Sequence, residues 1–525
     1  MEKKFFFSII LILFYLSFGF FLSINTGISH DESHEQLNWL NNFEAYKSIF
    51  NLGDYNKLLN YTDKYHGIAF QFISQPIQYL IFNLVSSITE TTKYASYLLS
   101  KHFVIFIIFS CSAFYFYRIC LLINSSKAFS RLSTILYIFY PYLLGHSFIN
   151  PKDIPFLSFW CISTFYFLKI LKKIYLNKII LKNNILKLAF FTSFLISIRI
   201  LGFLILIEFL IGIIILFNTK KINFIKIIQN NFKNIFYFFL VFVIVLYSLN
   251  PIFWNSPNEI VNSIKYMSRY FHNVCTLTLG KCDQSLSLSP NYYFIWFFFK
   301  LPIISLIGIL IFPLVEKKIM VNNFSLIVFL TLIITAVSII FLFVFRNIAI
   351  YDEIRHIMFI LPLILIPTFH NLYSFSKKLF FFVSFLSLFF FISDNFRLYP
   401  YQYTWLNEFS RFYDINKNFE VDYWGISNKN LQKHIINMKQ TKKISNDTCI
   451  FGDGYTSAFL EKKGFVCFKS YSEIDAPKAR PFVAYQNLRN LKRNSPNNCE
   501  LMHEEKYSYS FSRQKIIVGK IWYCN

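Results

Sequence analysis

The stretch GISHDESHEQLNW, residues 27–39, sets His30, Asp31, Glu32, His34 and Glu35 directly after an apolar run that begins at Phe5. A hydrophobic anchor needs no such cluster. Further along come DKYHG with Lys64 and His66, NPKD with Asn150, Lys152 and Asp153, Arg199 inside a long apolar stretch, and YDEIRH with Asp352, Glu353, Arg355 and His356. Carboxylates beside several cations suit a reaction between a nucleophilic hydroxyl and an anionic leaving group. The carboxylate accepts the hydroxyl proton. Lys and Arg bind a phosphate or pyrophosphate as it departs. A lipid-tailed substrate could reach such a site sideways, through a bilayer.

Each group also has a plainer reading. Loops that leave a membrane are commonly polar. Asp153, two residues before Pro155, could serve as a helix N-cap, and Arg199 could be a snorkelling side chain. Glu208 is costly in lipid and should face the bundle interior. His30 and His34, four apart, could share a helix face and hold a metal. No metal ligand is assigned on that spacing, and a divalent metal ion stays open as a cofactor. What raises the functional reading is convergence on one side of the membrane, so the elements that carry these residues have to be placed.

The 525 residues are 55% hydrophobic and 15% charged, with a mean hydropathy of +0.43, which excludes the soluble globular class. Several apolar runs exceed the roughly 18 residues that cross a bilayer core. The formal charge of +24 could suggest a nucleic-acid partner. Many of the lysines, however, sit in short loops between apolar runs, where they act as orientation signals. No nucleic-acid partner is expected. The amino-terminal MEKKFFFSIILILFYLSFGFFLSI resembles a secretory signal, but its apolar stretch is long and no small-x-small site follows. An uncleaved first helix is the better reading.

With Lys3 and Lys4 in the cytoplasm, a helix at about 5–23 delivers the acidic cluster outside. The first outer loop, 24–101, contains no clean span; its stretch 67–87 carries Gln71, Gln75, Pro76 and Gln78 and reads as an interfacial helix. Further spans fall at about 102–123, 132–149, 153–170, two short helices within 187–217 that meet near Arg199 to Gly202, 234–250, 293–313, 323–345, 356–372 and 378–393. The basic loop Lys169 to Lys187 marks the inside. This gives a polytopic α-helical membrane protein of about 11 transmembrane helices, amino terminus in and carboxyl terminus out.

Cys111, Cys120 and Cys161 lie in spans, and Cys275, Cys282, Cys449, Cys467, Cys499 and Cys524 all fall outside, an even number that fits an oxidising compartment. Their pairing is not deducible, although Cys275 and Cys282 are close enough in one loop to bridge. The membrane part is expected at 1–394 and a small α/β extracytoplasmic domain at 395–525. In that tail TCIFGDG, GFVCF, RPFVAYQ and QKIIVGKIWYC read as strands, and NKNLQKHIINMKQ reads as an amphipathic helix.

An Asp-Glu pair in the first outer loop, a following interfacial helix and many spans with a soluble outer tail resemble the C-type glycosyltransferases. More narrowly, the chain resembles glycosyltransferase family 39 and its bacterial relatives, the dolichyl-phosphate-mannose–protein mannosyltransferase-like enzymes and the lipid A aminoarabinose transferases. FINPKDIPF, SIRILGF, YDEIRHIMFILP and DYWGIS look like segments of a bacterial branch. The resemblance covers about residues 5–393. It implies the C-type glycosyltransferase fold, a bacterial inner-membrane location with a periplasmic site, and transfer of a sugar from a polyprenyl-phosphate carrier to a lipid, glycan or protein acceptor.

By position, Asp31 matches the family's catalytic carboxylate, Glu32 its companion and Asp153 another active-site acid. Lys64 or His66 stands where the family places a basic residue near the donor phosphate, although YHGIAF replaces the usual Pro-Pro. Arg199 and Arg355 are further phosphate candidates, with Lys152 and His356 beside them. Asp31 would deprotonate the acceptor hydroxyl, and a single displacement would invert the sugar carbon. Two other readings remain: an envelope oligosaccharide polymerase or ligase acting through arginines, and an ion-coupled transporter. A transporter should show ionisable residues at mid-membrane and a repeat between its halves. Glu208 is the main residue at such a depth, and no repeat is evident.

Overall fold

Apolar runs of this length leave the backbone one stable choice in lipid, the helix, because every N–H and C=O must be paired internally. The computed structural model describes residues 2–220, 224–269, 273–319, 323–445, 447–452, 457–460, 463–465, 467–470, 481–487 and 499–524. It is mostly helical, with a small carboxyl-terminal sheet.

Among the described residues seven helices are long and apolar enough to cross a membrane: Lys93–Ile123, Asp153–Tyr175, Ile200–Lys220, Asn231–Leu249, Phe324–Phe345, Arg355–Phe375 and Lys377–Leu398. Two bent pairs bring the number to nine. Lys127–Phe139 and Pro141–Ile149 meet at 55°, and Pro290–Lys300 and Ile303–Val315 at 110°. Proline explains both breaks. Pro141 and Pro302 lack the N–H that would continue the ladder, and each holds its predecessor out of the helical region. The two other expected spans are shorter: Ile10–Ile24, and Lys182–Ile198. Eleven runs are thus helical, but only seven, or nine with the bent pairs, satisfy the length and composition of a crossing.

Burial separates the inner helices from the outer ones. Within their apolar windows Asp153–Tyr175 is 94% buried and Arg355–Phe375 is 89% buried, against 6% for Asn231–Leu249. The two central helices begin at the NPKD and YDEIRH motifs, so both motifs are anchored in the tightest packing of the molecule. Beside them the chain breaks at Arg199, whose extended backbone (φ −147°, ψ 133°) separates Lys182–Ile198 from the short 3-10 turn Ile200–Leu204.

The stretch expected at the interface is the helix Ala69–Thr89, packed on Lys93–Ile123. That second helix runs 31 residues. It starts well before the apolar run at 102, with the Thr92 hydroxyl accepting from Ala95 N–H as its cap.

The tail forms a five-stranded sheet in the order Phe468–Ser470, Cys449–Gly452, Phe482–Asn487, Ile516–Cys524, Cys499–Tyr507. The first three strands run parallel, and Ile516–Cys524 is antiparallel to both its neighbours. Cys499–Tyr507 was not expected; its run CELMHEEKY carries four charged residues and offers no apolar alternation. Parts of TCIFGDG and GFVCF lie outside the described residues. The helix Asn428–Gln440 covers the sheet. The six cysteines form three bridges, Cys275–Cys282, Cys449–Cys467 and Cys499–Cys524. The first closes an antiparallel hairpin, Cys275–Thr278 with Lys281–Gln284.

The sheet is clamped to the last membrane helix. Buried Asp394 accepts from Trp405 Nε1 (2.9 Å), Arg411 Nη2 (2.8 Å) and Ser510 N (3.0 Å).

Candidate active site

Asp31 lies in the first turn of the helix His30–Ser48. Ser29 is its N-cap, and one arm of a capping box, Ser29 N–H donating to Glu32 Oε1 at 2.7 Å, ties it to Glu32. That box turns Glu32 inward and leaves Asp31 facing the other way. Asp31 Oδ2 is 3.2 Å from Trp424 Nε1 and 3.4 Å from Arg355 Nη1, while 48% of its side chain stays open. The dense surroundings push the carboxyl up, but Arg355, then His30, Lys152 and Arg199 outweigh this and hold it below the ordinary carboxylate value.

Asp153 opens the second helix, but it is not the cap. Asn150 does that work: its Oδ1 accepts from the Asp153 and Lys152 backbone N–H groups, at 2.8 and 3.1 Å. The Asp153 carboxylate is thereby left for partners outside the turn. Asn150 Nδ2 donates to Oδ2 (2.9 Å), Arg199 Nη1 pairs with Oδ1 (2.6 Å) and Arg355 Nη1 lies 3.7 Å from Oδ2. The snorkelling alternative for Arg199 fails, because its guanidinium turns inward to a buried acid.

Arg355 joins the two acids. Its side chain is 5% exposed, reaches Asp352 Oδ2 at 3.3 Å, and lies over the Tyr351 and Trp424 rings at 5.0 and 5.2 Å. The chain pays for this placement in backbone strain, since Asp352 (φ +55°) and Glu353 (φ +66°) are both left-handed without being glycine. The surroundings hold them there. Thr276 Oγ1 accepts from Asp352 N (3.0 Å), Tyr292 OH donates to Glu353 O (3.1 Å), and the fully buried Glu353 pairs with Lys300 at 2.7 Å.

Lys152 Nζ pairs with Glu35 Oε1 (2.7 Å) and touches His66 Nδ1 at 2.6 Å. Burial, followed by the charges of Lys152, His34 and Arg199, holds the His66 imidazole well below its ordinary pKa, so it is neutral and can accept from the Lys152 ammonium.

Two of the expected residues stand apart. Glu32 is fully buried, with Oε2 2.9 Å from His102 Nε2, and His102 Nδ1 in turn 2.9 Å from Thr26 Oγ1. Lys64 Nζ donates to Leu59 O at 2.9 Å and lies over its neighbour Tyr65, leaving the charge cluster to His66. His356 is packed edge-on against Tyr351 and lies in the field of Arg355, Arg199 and Lys152. Glu208, as anticipated, faces the interior and accepts from Trp160 Nε1 at 2.8 Å.

Among the described residues His34, Asp63 and His66 offer ligand atoms all within 4.8 Å of one another, a nitrogen and oxygen set of the kind that holds zinc.

Glu35 and Asn150, named within their motifs but given no role, and Trp424, named only inside DYWGIS, complete the site. Trp424 comes from the carboxyl-terminal tail, where DYWGIS forms a tight turn on the first outer loop. Asp422 accepts from Ile426 N (2.8 Å) and Ser427 N (3.0 Å), Trp424 O accepts from His30 N (3.3 Å), and Gly425 sits at φ +71°. That left-handed backbone strains any side chain, and a Cβ on Gly425 would also push aside the His30 ring, 2.6 Å away at Nε2.

The result is a carboxylate open on one side, ringed by Arg355, Arg199 and Lys152, at the N-termini of two helices. Helix N-termini and paired cations both favour an anion.

No family model and no curated protein matches this chain. Among solved structures it is similar to the crystal structure of ArnT from Cupriavidus metallidurans in the apo state, with 8% identity, 98% of this chain and 97% of that chain covered, and a TM-score of 0.49. The crystal structure of the same protein bound to undecaprenyl phosphate gives 9% identity, 97% of each chain covered and a TM-score of 0.46.

Proposed function

We propose that this chain is a membrane glycosyltransferase of the C-type fold, which moves a sugar from a polyprenyl-phosphate carrier to a hydroxyl of a lipid, glycan or protein acceptor. Asp31 is its general base. The carrying observation is the meeting of an ionised, half-open carboxylate with a buried guanidinium: Asp31 and Arg355, 3.4 Å apart. The acceptor oxygen attacks the anomeric carbon and its proton passes to Asp31. The carbon–oxygen bond to phosphate breaks, and the electron pair leaves on the phosphate. Arg355, Arg199 and Lys152 neutralise that charge as it develops. A single displacement inverts the anomeric carbon.

The same reading gives Asp153 a positioning role, since it fixes Arg199 and borders Arg355. His66 is assigned to setting Lys152. Glu32, Lys64 and His356 are assigned to the surrounding scaffold. Residues 1–394 act as the transferase body, and 395–525, through Trp424, as a lid on its extracytoplasmic face. Within the resemblance drawn from the motifs, the family 39 group and a periplasm-facing site in a bacterial inner membrane are the closest fit.

The test is a transfer assay with the purified full-length chain and a panel of radiolabelled polyprenyl-phosphate sugars. Label should pass to an acceptor with release of polyprenyl phosphate and with inversion at the anomeric carbon. Retention of configuration would contradict the direct displacement.

A further inference from the structure

At the far end of the central helices lies a second charged feature that the proposed reaction does not use. The last turns of Lys93–Ile123 and of Asp153–Tyr175 enclose a cavity of about 490 Å³. Its walls carry Arg118, Lys169, Lys172, Lys173 and Lys178 around an apolar floor that includes Phe114 and Phe165. Asp153 and Lys169 sit on one helix, sixteen residues and therefore roughly 24 Å apart, so the cavity opens at the opposite membrane face from the carboxylate cluster. Arg118 is held between rings, 5.3 Å from Phe165 and 5.7 Å from Phe114, and Lys169 lies 5.9 Å from Phe165.

Among the described residues no acid neutralises this charge. No acidic residue occurs between Glu90 and Asp153 or between Asp153 and Glu208. Among the described residues none of the five cations makes an ion pair. Orientation signals alone would account for scattered lysines. They do not account for five cations converging on one concavity whose floor is apolar and whose side opens to lipid, as half-exposed Phe114 (55%) shows. Such a shape matches an anion with hydrocarbon attached.

We propose that this cavity binds the phosphate headgroup of an anionic phospholipid in the leaflet opposite the candidate active site. The phosphate lies among Arg118, Lys172 and Lys173, and the acyl chains follow the apolar surface at Phe114 and Phe165. The inference is independent of the glycosyltransferase reading.

The full-length chain in neutral detergent is titrated with phosphatidylglycerol, phosphatidylcholine and glycerol 3-phosphate, with bound lipid read by native mass spectrometry. Phosphatidylglycerol should bind about tenfold more tightly than phosphatidylcholine, and glycerol 3-phosphate should not compete. The combined Arg118→Gln, Lys172→Gln, Lys173→Gln variant should reduce the preference to about twofold or less. A control set on the same side, Lys127→Gln, Arg131→Gln, Lys377→Gln, should keep it.

Equal loss in both sets would show a diffuse basic surface and overturn the site. Competition by glycerol 3-phosphate would make it a soluble-phosphate site and overturn the lipid assignment. Should the triple variant fail to fold, Lys172→Gln alone should weaken phosphatidylglycerol about threefold, and an unchanged affinity would overturn the proposal.

Discussion

Arg355 Nη1 lies 3.4 Å from Asp31 Oδ2, joining residues 324 positions apart in the sequence. The same nitrogen is 3.7 Å from Asp153, and Nη2 is 3.3 Å from Asp352. One guanidinium therefore serves three carboxylates. It does so from two nitrogens at a fixed spacing, which the single nitrogen of an ammonium cannot reproduce.

Arg355→Lys should accordingly keep the charge and lose the geometry. Transfer is expected to fall about a hundredfold in kcat/KM, or ~2.7 kcal/mol of transition-state stabilisation. The measurement is steady-state kinetics on protein whose melting temperature is checked alongside. A rate within about threefold of wild type would remove Arg355 from the phosphate site.

The electrostatics of Asp31 predict a pH profile. Burial raises its carboxyl, but the cations led by Arg355 bring it below the ordinary value, so it stays ionised until pH falls beneath the usual carboxylate range. The acid limb of kcat/KM should therefore lie below the ordinary carboxylate value in the wild type. In Arg355→Gln the burial effect prevails and the limb should move upward. In stability the sign is the same: a depressed carboxyl contributes above its unfolded value, and that contribution is lost as pH drops through the folded one.

Glu32 and Asp31 are adjacent and should separate cleanly under mutation. Glu32→Ala deletes the acceptor for Ser29 N–H and strands buried His102. The expected cost is roughly 3 kcal/mol of stability, read as a lower melting temperature. Asp31→Asn should lower the melting temperature by less than Glu32→Ala does, because the side chain is half-open and Arg355 keeps Asp153 and Asp352, and it should abolish transfer. The converse pattern would exchange the two roles.

Gly425→Ala should pull the lid off the base. The left-handed backbone strains any side chain, and a methyl group would have to displace the His30 ring 2.6 Å away. The cost of about 1–2 kcal/mol falls on the turn that brings Trp424 to Asp31. Transfer should drop at least tenfold while the disulfides of the sheet still form, which mass mapping can check.

Much of the membrane part was legible because a bilayer imposes one solution on an apolar run. The break at Arg199 and the interior position of Glu208 followed from charge balance between basic loops and from the cost of an acid in lipid. Contact partners were not legible. In DKYHG, Lys64 and His66 are two residues apart in a turn, and no periodicity says which one faces Lys152; the structure turns His66 there and Lys64 away. Asp153 looked like a cap because capping and catalysis both favour a short acid at that position. The arbiter was Asn150, whose side chain occupies the capping role.

Trp424 could not be found by local pattern, since it meets Asp31 across 393 residues. DYWGIS stood out by its resemblance alone, which gave Trp424 no role, and the requirement of Gly425 for φ +71° shows only once the turn is built. The strand Cys499–Tyr507 escaped for a different reason. As an edge strand it pairs on one side only, and edge strands bear charge to resist further pairing.

The central claim is that Asp31 takes the acceptor proton. Its most direct test is transfer by purified Asp31→Asn beside wild type, at saturating polyprenyl-phosphate sugar and acceptor, with both shown to be folded first. The amide keeps the shape and cannot hold the proton, so kcat should fall by about a thousandfold or more, while polyprenyl phosphate still binds. A folded Asp31→Asn protein that transfers at the wild-type rate would contradict the assignment and leave the cation cluster without its base.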